Sequence, residues 1–380
     1  MVSRQDERPG DVRLANGFPK QGRHSVGVAR QYCGLLGKQD NCQVAVSLSI
    51  ANHGASLPVA YRLYLPQAWE QDTKRRRKVG VPTETTFKTK PEIALEQIRW
   101  AREAGLPRGV VLMDAGYGAN TELRTSITAL GLSYAAGIMP NTSVWTPGTT
   151  PLPARRWSGQ GRPPKLIRRD AKHQPISVKQ VALGLPAKAW RTIQWREGAS
   201  ELLSSRFARL RVRVAHRDYN LTKSRPQEWL LIEWPKGESE PTKYWLSTLA
   251  ETIPFNRLVD LTKLRWRIER DYQELKQEVG LGHFEGRGWR GFHHHASLCI
   301  AAYGFLISER ETISPSGPRR AVQLSAPRVR ADYRPRGSAT AARTPHLQLH
   351  RNNAPTIADR ARSNSRAMSM LHKTNNAPTP

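Results

Sequence analysis

Four residues have the types and spacing to do chemistry: Asp114, Arg265, Glu269 and Lys276. The last three are separated by four and seven positions. At the helical rotation of about 100° per residue they fall within roughly 40° of arc. One carboxylate is then flanked by two cations along a single line. Asp114 follows the apolar run GVVLM (Gly109–Met113) and precedes the small-residue turn AGYG. In α/β sheets, ligands gather at the carboxyl ends of strands. Carboxylates offer the hard oxygen donors that Mg²⁺ prefers. Hydrolysis of a phosphodiester uses two or three of them around a pair of divalent ions roughly 4 Å apart. Each residue also has a simpler reading. Asp114 can be a helix cap. Arg265 and Glu269 can be a solvated i, i+4 pair that contributes a few tenths of a kcal/mol.

The elements that must position these groups follow from periodicity. Leu261, Leu264, Ile268, Tyr272, Leu275 and Val279 recur every three or four residues and predict a helix from about Phe255 to Val279, with its apolar stripe on a core. GVVLM predicts a short strand buried on both faces. Upstream, Cys42–Ile50 and Ser56–Leu65 read as strands joined by the turn Asn52–Ala55. A basic loop containing Lys74–Lys78 follows, then a helix over Pro91–Ala104 with proline at its start. Thr121–Leu130 reads as a helix, Tyr134–Ile138 as a strand and Phe292–Ser308 as a last helix. From about Asn141 to Thr248 the chain is rich in Pro, Gly, Trp and Arg. Its runs Trp190–Trp195, Phe207–Ala215, Trp229–Trp234 and Lys243–Leu249 predict a mainly β insertion.

The 380 residues carry 60 Lys+Arg against 31 Asp+Glu, a net charge of +29. Such an excess repels itself in a compact chain and fits a polyanionic partner. Arg319–Pro380 holds 12 of the cations and 2 of the acids, in a composition that predicts disorder. The first 15 residues also read as unstructured. No apolar run is long enough to cross a membrane. The N-terminus lacks a secretory signal. Cys33, Cys42 and Cys299 form no disulfide or zinc pattern and suit a reducing cytoplasm.

The stretch from Gly17 to about Glu309 resembles bacterial insertion-sequence transposases of the DDE class, in the branch with a β-rich insertion before the catalytic Glu. LRWRIERDYQELK (Leu264–Lys276) resembles that family's signature of Tyr, two residues, Arg, three residues, Glu, six residues, Lys. Arg265, Glu269 and Lys276 fill its last three positions, and Thr262 stands where the family has Tyr. VVLMDAGYG (Val110–Gly118) is similar to the second-Asp motif. KYWLST (Lys243–Thr248) is similar to a segment that carries a Trp near the transposon end. The resemblance implies an RNase H-like mixed sheet flanked by helices. It further implies Mg²⁺ or Mn²⁺ held by Asp114 and Glu269, DNA contacts from Arg265, Lys276 and Trp245, and strand cleavage and transfer at element ends. The implied partner is double-stranded DNA, bound by a homodimer, in a cytoplasmic, nucleoid-associated protein.

This sequence departs from the family at the first catalytic Asp. The matching residues are Leu14, Ala15 and Asn16, ahead of GFPK (Gly17–Lys20), and none is a carboxylate. We therefore expect the first strand to be lost, both ends to be replaced, and the protein to be a truncated, catalytically impaired transposase. The expected organisation is a disordered leader (1–16), a first core segment (17–140), the β insertion (141–250), a second core segment with the Glu helix (251–312) and a basic tail (313–380). The alternative is a non-catalytic DNA-binding remnant. A basic RNA-binding protein would explain the charge but not the Asp114–Glu269 arrangement. Two further motifs stand out. GQGRPPK (Gly159–Lys165) resembles arms that enter the minor groove through a Gly-Arg-Pro core, which makes Arg162 a DNA-binding candidate. It reads equally well as a basic linker. The run His293–His295 cannot turn all three rings to one ion on a helix.

Overall fold

The computed structural model describes residues 10–196 and 202–312. The expectation for the tail 313–380 lies outside these residues. Chain order begins with four strands: β1 (Gly10–Pro19), β2 (Ala29–Cys33), β3 (Lys38–Ala51) and β4 (Ser56–Leu63). Helices α1 (Thr73–Lys78) and α2 (Lys90–Glu103) follow, then β5 (Val111–Met113), α3 (Ala115–Gly118), α4 (Thr121–Ala129) and β6 (Tyr134–Ile138). The expected basic loop at 74–78 is instead the short helix α1, capped by the Asp72 carboxylate, which accepts from the Arg75 amide at 2.9 Å. Helix α2 starts as its sequence dictates. Thr89 and Glu92 form a reciprocal capping box, and Pro91 sits in the first turn.

The order β4-β3-β1-β5-β6 forms one half of the sheet, with β1 antiparallel to β3 and parallel to β5. This corrects the expectation of a lost first strand. Gly10 pairs with Val111, Asp11 with Leu112 and Val12 with Met113. Without β1, the facing edges of β3 and β5 would leave backbone donors and acceptors unpaired inside the molecule. Backbone pairing tolerates sequence, so DVRLAN fills the place although it lacks the apolar run expected of a central strand.

The β-rich segment contributes β7 (Ser143–Trp145), β8 (Ile176–Ser177), α5 (Val178–Leu183), β9 (Arg191–Arg196), β10 (Leu202–Val214), β11 (Glu228–Trp234) and β12 (Lys243–Ser247). These strands do not build a separate body. β12 pairs antiparallel with β6 and extends the same sheet outward as β6-β12-β11-β10-β7-β8, within one compact unit. The last elements are α6 (Phe255–Lys263), α7 (Trp266–Gln277) and α8 (Trp289–Thr312).

The expected single helix over 255–279 is thus two, with a tight turn at Leu264–Arg265. The cause lies in the core. Leu258, Val259, Leu261 and Leu264 of the first half pack with Leu112, Phe207 and Leu231, whereas Ile268, Tyr272 and Leu275 of the second half pack with Phe18, Ala45 and Leu63. One straight helix cannot cover both clusters, so the chain tightens into a bend between them. The other sheet face is covered by α2, α4 and α5 against Val46, Met113, Ala136 and Leu230.

Candidate active site

The parallel pair β1–β5 and the helix α7 position the site. Met113 ends β5, and Asp114 continues with extended backbone (φ −79°, ψ 177°). Alternation along an extended strand places Asp114 on the face of Leu112, the side that α6 and α7 cover. Its half-buried carboxylate caps α3: Oδ1 accepts from the amides of Gly116 at 2.9 Å and Tyr117 at 3.2 Å. The capping reading is therefore correct, and it coexists with a place at the strand's carboxyl end. The turn is tightly seated. A Cβ on Gly118 would lie 1.9 Å from the carbonyl oxygen of Gly137, and a Cβ on Gly137 would lie 3.0 Å from the amide nitrogen of Ala115.

Tyr117 ties this turn to the Glu helix. Its buried hydroxyl is held well above the ordinary phenol range, first by burial, then by the Asp114 carboxylate and by Tyr272 of α7. Tyr272 lies three residues beyond Glu269 on the same helix. Glu269 itself is exposed in the first turn of α7, and its Oε1 accepts from Arg265 Nη2 at 2.6 Å. Lys276, two turns on, reaches β1: its Nζ lies 5.1 Å from the centre of the Phe18 ring and donates to the Gly17 carbonyl at 3.4 Å. The line of Arg265, Glu269 and Lys276 thus survives the bend, with Arg265 at the cap of α7 rather than inside a continuous helix.

Beside Asp114 the parallel register places Arg13, one step past the Val12–Met113 pair, followed by an irregularity between Arg13 and Asn16. This is where a third carboxylate would belong, and Arg13, Leu14, Ala15 and Asn16 supply none. Asp114 and Glu269 have the right chemistry for a hard cation. Among the described residues, however, no group of three or more His, Cys, Asp or Glu could hold a metal ion. The donor set therefore fits a divalent ion only in part.

The other expected residues lie elsewhere. Trp245 sits on β12 opposite Gly137, half-buried, with the Lys263 ammonium 5.5 Å from its ring. Arg162 is exposed on the long loop after β7. Thr262 is buried and its hydroxyl donates back to the carbonyls of Leu258 and Val259. It offers nothing to a partner, unlike the Tyr expected there. His293 and His295 face backbone groups of Trp289, Leu63 and Gly280, and so serve packing.

Sequence reasoning missed Asp271. It is buried on α7 and accepts from the hydroxyls of Ser56 and Tyr303, the latter at 3.0 Å. Burial raises its carboxyl to about 6. Around it Arg267 donates to the carbonyls of His53 and Gly54, while Arg270 and Arg310 pair with Glu274. The signal was available: Asp271 stands three residues after Ile268 and four before Leu275, on the apolar stripe itself.

Among the described residues no helix is long and apolar enough to cross a membrane. A family model described as DDE superfamily endonuclease matches residues 15–201. The chain is also 32% identical over 126 residues to the probable transposase for insertion sequence element IS701 of Microchaete diplosiphon, a match covering 33% of this chain and 30% of that protein. The chain thus spans less than a third of the length of that curated relative. Over residues 15–201 the chain is thus similar to the DDE superfamily endonucleases, and over 126 residues to an insertion-sequence transposase.

Proposed function

We propose that this protein acts on duplex DNA as a DDE-class transposase, with Asp114 and Glu269 as its catalytic and metal-holding carboxylates. The observation that carries the reading is the packing of the Glu helix α7 on Phe18 of β1, Ala45 of β3 and Leu63 of β4, with β1 paired to β5 and Tyr117 between the Asp114 turn and Tyr272. Mg²⁺ or Mn²⁺ bound there would activate the attacking water or 3′-hydroxyl and steady the leaving oxygen. Arg265 orients Glu269 through their 2.6 Å contact, and its fork suits a phosphate near the scissile bond. Lys276 presents a cation at the β1 end of the same line. Trp245 offers a ring to an unstacked base. The protein acts in the cytoplasm on nucleoid DNA, as a homodimer on paired element ends.

Catalysis is impaired in this chain, because Arg13, Leu14, Ala15 and Asn16 occupy the place of the third carboxylate. That observation also favours the second reading, a DNA-binding protein without cleavage. The test is Mg²⁺-dependent cleavage of a cognate element end by the wild type, Glu269→Gln and Ala15→Asp. Weak cleavage that Glu269→Gln abolishes and Ala15→Asp raises supports the first reading. Salt-sensitive DNA binding with no cleavage by any of the three assigns the second.

A further inference from the structure

The loop Leu152–Arg168 is built differently from its neighbours. Leu152 and Arg168 close its base through two backbone hydrogen bonds of 2.9 Å each, and Ile167 donates to the Leu221 carbonyl at 2.9 Å. Just beyond, Arg169 is tied to Asp218, the carboxylate that also accepts from Trp145 Nε1 at 2.6 Å. The distal end is shaped as well. Gly159 and Gly161 take left-handed backbone (φ +91° and +70°), and the Trp157 indole donates to the carbonyls of Gln160 and Gly161. Pro163 and Pro164 then keep Arg162 and its neighbours out of helical conformation. The result is a pinned loop with a narrow, non-helical tip.

Its charge is one-sided. From Pro151 to Arg169 there are six cations and no acid. Arg169 is satisfied by Asp218, whereas Arg155, Arg156, Arg162, Lys165 and Arg168 have no ion-pair partner among the described residues. Arg155, Arg162, Lys165 and Arg168 line a groove of about 660 Å³. The Nε of Arg168 is buried and has no hydrogen-bond partner among the described residues. Unpaired guanidinium groups on a slender proline-stiffened tip match the strongly negative, narrow minor groove of A·T-rich duplexes. The loop leaves the sheet at β7, five strands from β5 in the sheet order. At a spacing near 4.8 Å, that is roughly 24 Å from the Asp114 turn, or about seven base pairs of duplex.

We propose that the Leu152–Arg168 loop is a second DNA-binding surface, which inserts Arg162 into the minor groove of A·T-rich duplex DNA away from the Asp114–Glu269 site. It rests on the reading of this protein as DNA-binding, not on cleavage. The test uses the full chain and fluorescence anisotropy with 30-base-pair A·T-rich and G·C-rich duplexes. The variant is Arg155→Ala/Arg162→Ala/Lys165→Ala. The triple variant should bind the A·T-rich duplex at least tenfold more weakly and lose the A·T preference, and its slope of log K against log salt should shallow by about 2 to 3, near 0.9 per lost phosphate contact. Distamycin should compete with the wild type. The triple variant's circular dichroism melt should coincide with that of the wild type, since the replaced side chains are exposed.

Triple-variant affinity within twofold of the wild type overturns the proposal. So does equal loss on both duplexes, or equally tight binding to double-stranded RNA, whose minor groove is wide and shallow. If the wild type cleaves nothing while the triple variant loses A·T-rich binding, the catalytic reading fails and this one stands. Cleavage together with unchanged binding by the triple variant sinks this one alone.

Discussion

At the scale of single residues, Asp114 carries two roles that substitution can separate. Its carboxylate caps α3 through the amides of Gly116 and Tyr117. Asparagine caps helices about as well as aspartate, whereas alanine at an N-cap costs about 1 kcal/mol. Asp114→Asn should therefore melt within a degree or two of the wild type, and Asp114→Ala several degrees lower, with DNA cleavage lost in both. An Asp114→Asn variant that keeps cleavage would leave Asp114 a cap and nothing more. Asp271 makes an opposite case. Its carboxyl is raised to about 6 from an ordinary 3.8, with burial as the main cause. The folded protein then holds this proton over a range where the unfolded chain has released it. Stability from this group is complete below about pH 4 and falls as pH rises to about 6, by an upper bound of about 3 kcal/mol for a shift of some two pKa units. Asp271→Asn removes the charge, keeps an acceptor oxygen for one of the Ser56 and Tyr303 hydroxyls and can donate its amide to the other. It should flatten the pH dependence between 4 and 7 and raise the melting temperature at pH 7.5. A variant less stable than the wild type at pH 7.5 would mean that the charged form is the favoured one.

At the scale of elements, the Asp114 turn depends on how closely α3 rides on β6. A methyl group at Gly118 would sit 1.9 Å from the Gly137 carbonyl oxygen, and backbone cannot give way as a flexible side chain can. Gly118→Ala should cost at least about 1–3 kcal/mol, as overpacking does, and should disturb the Asp114 carboxylate even where the variant still folds. Urea unfolding measures the first effect, and cleavage by the folded fraction the second. Wild-type stability in Gly118→Ala would show that the turn is looser than this packing implies. Elements that carry their own signal were legible in the sequence. Tyr134–Ile138 is an unbroken apolar run, and α2 opens with Thr89, Pro91 and Glu92. Elements imposed by their surroundings were not. DVRLAN has no apolar pattern of a central strand, and the unpaired edges of β3 and β5 recruit it. The bend at Leu264–Arg265 was hidden because both halves obey one helical period, while the clusters they bury lie apart on the sheet. For the site, the i, i+4 pair of Arg265 and Glu269 was legible because both partners lie on one helix. The relation of Asp114 to that helix runs through Tyr117 and a sheet order that no local pattern encodes.

At the scale of the whole molecule, the charge of +29 sets how the protein meets its partner. Some cations are already engaged inside the fold. Lys263 pairs at 2.6 Å with the buried Glu233, Arg169 is held by Asp218, and Arg265 is held by Glu269. Such groups shape the protein and add little to long-range attraction. The cations of the Leu152–Arg168 loop that have no ion-pair partner among the described residues leave the sheet five strands from the Asp114 strand. Binding and catalysis should therefore respond to different changes. Non-specific association with duplex DNA should weaken steeply with salt, by a factor of about 10³ to 10⁵ between 50 and 200 mM if six to ten phosphates are neutralised. Asp114→Asn and Glu269→Gln should leave that slope unaltered, because neither removes a cation. Each deletes one negative charge, so affinity should hold or rise slightly as cleavage disappears. Titrating a fluorescent 30-base-pair duplex at four salt concentrations with the wild type and both variants checks this. An affinity that barely changes with salt would mean that the excess charge does not serve a nucleic-acid backbone. A slope that shallows in Glu269→Gln would mean that the Arg265–Glu269 pair itself sits in the DNA path and is reorganised by losing its carboxylate.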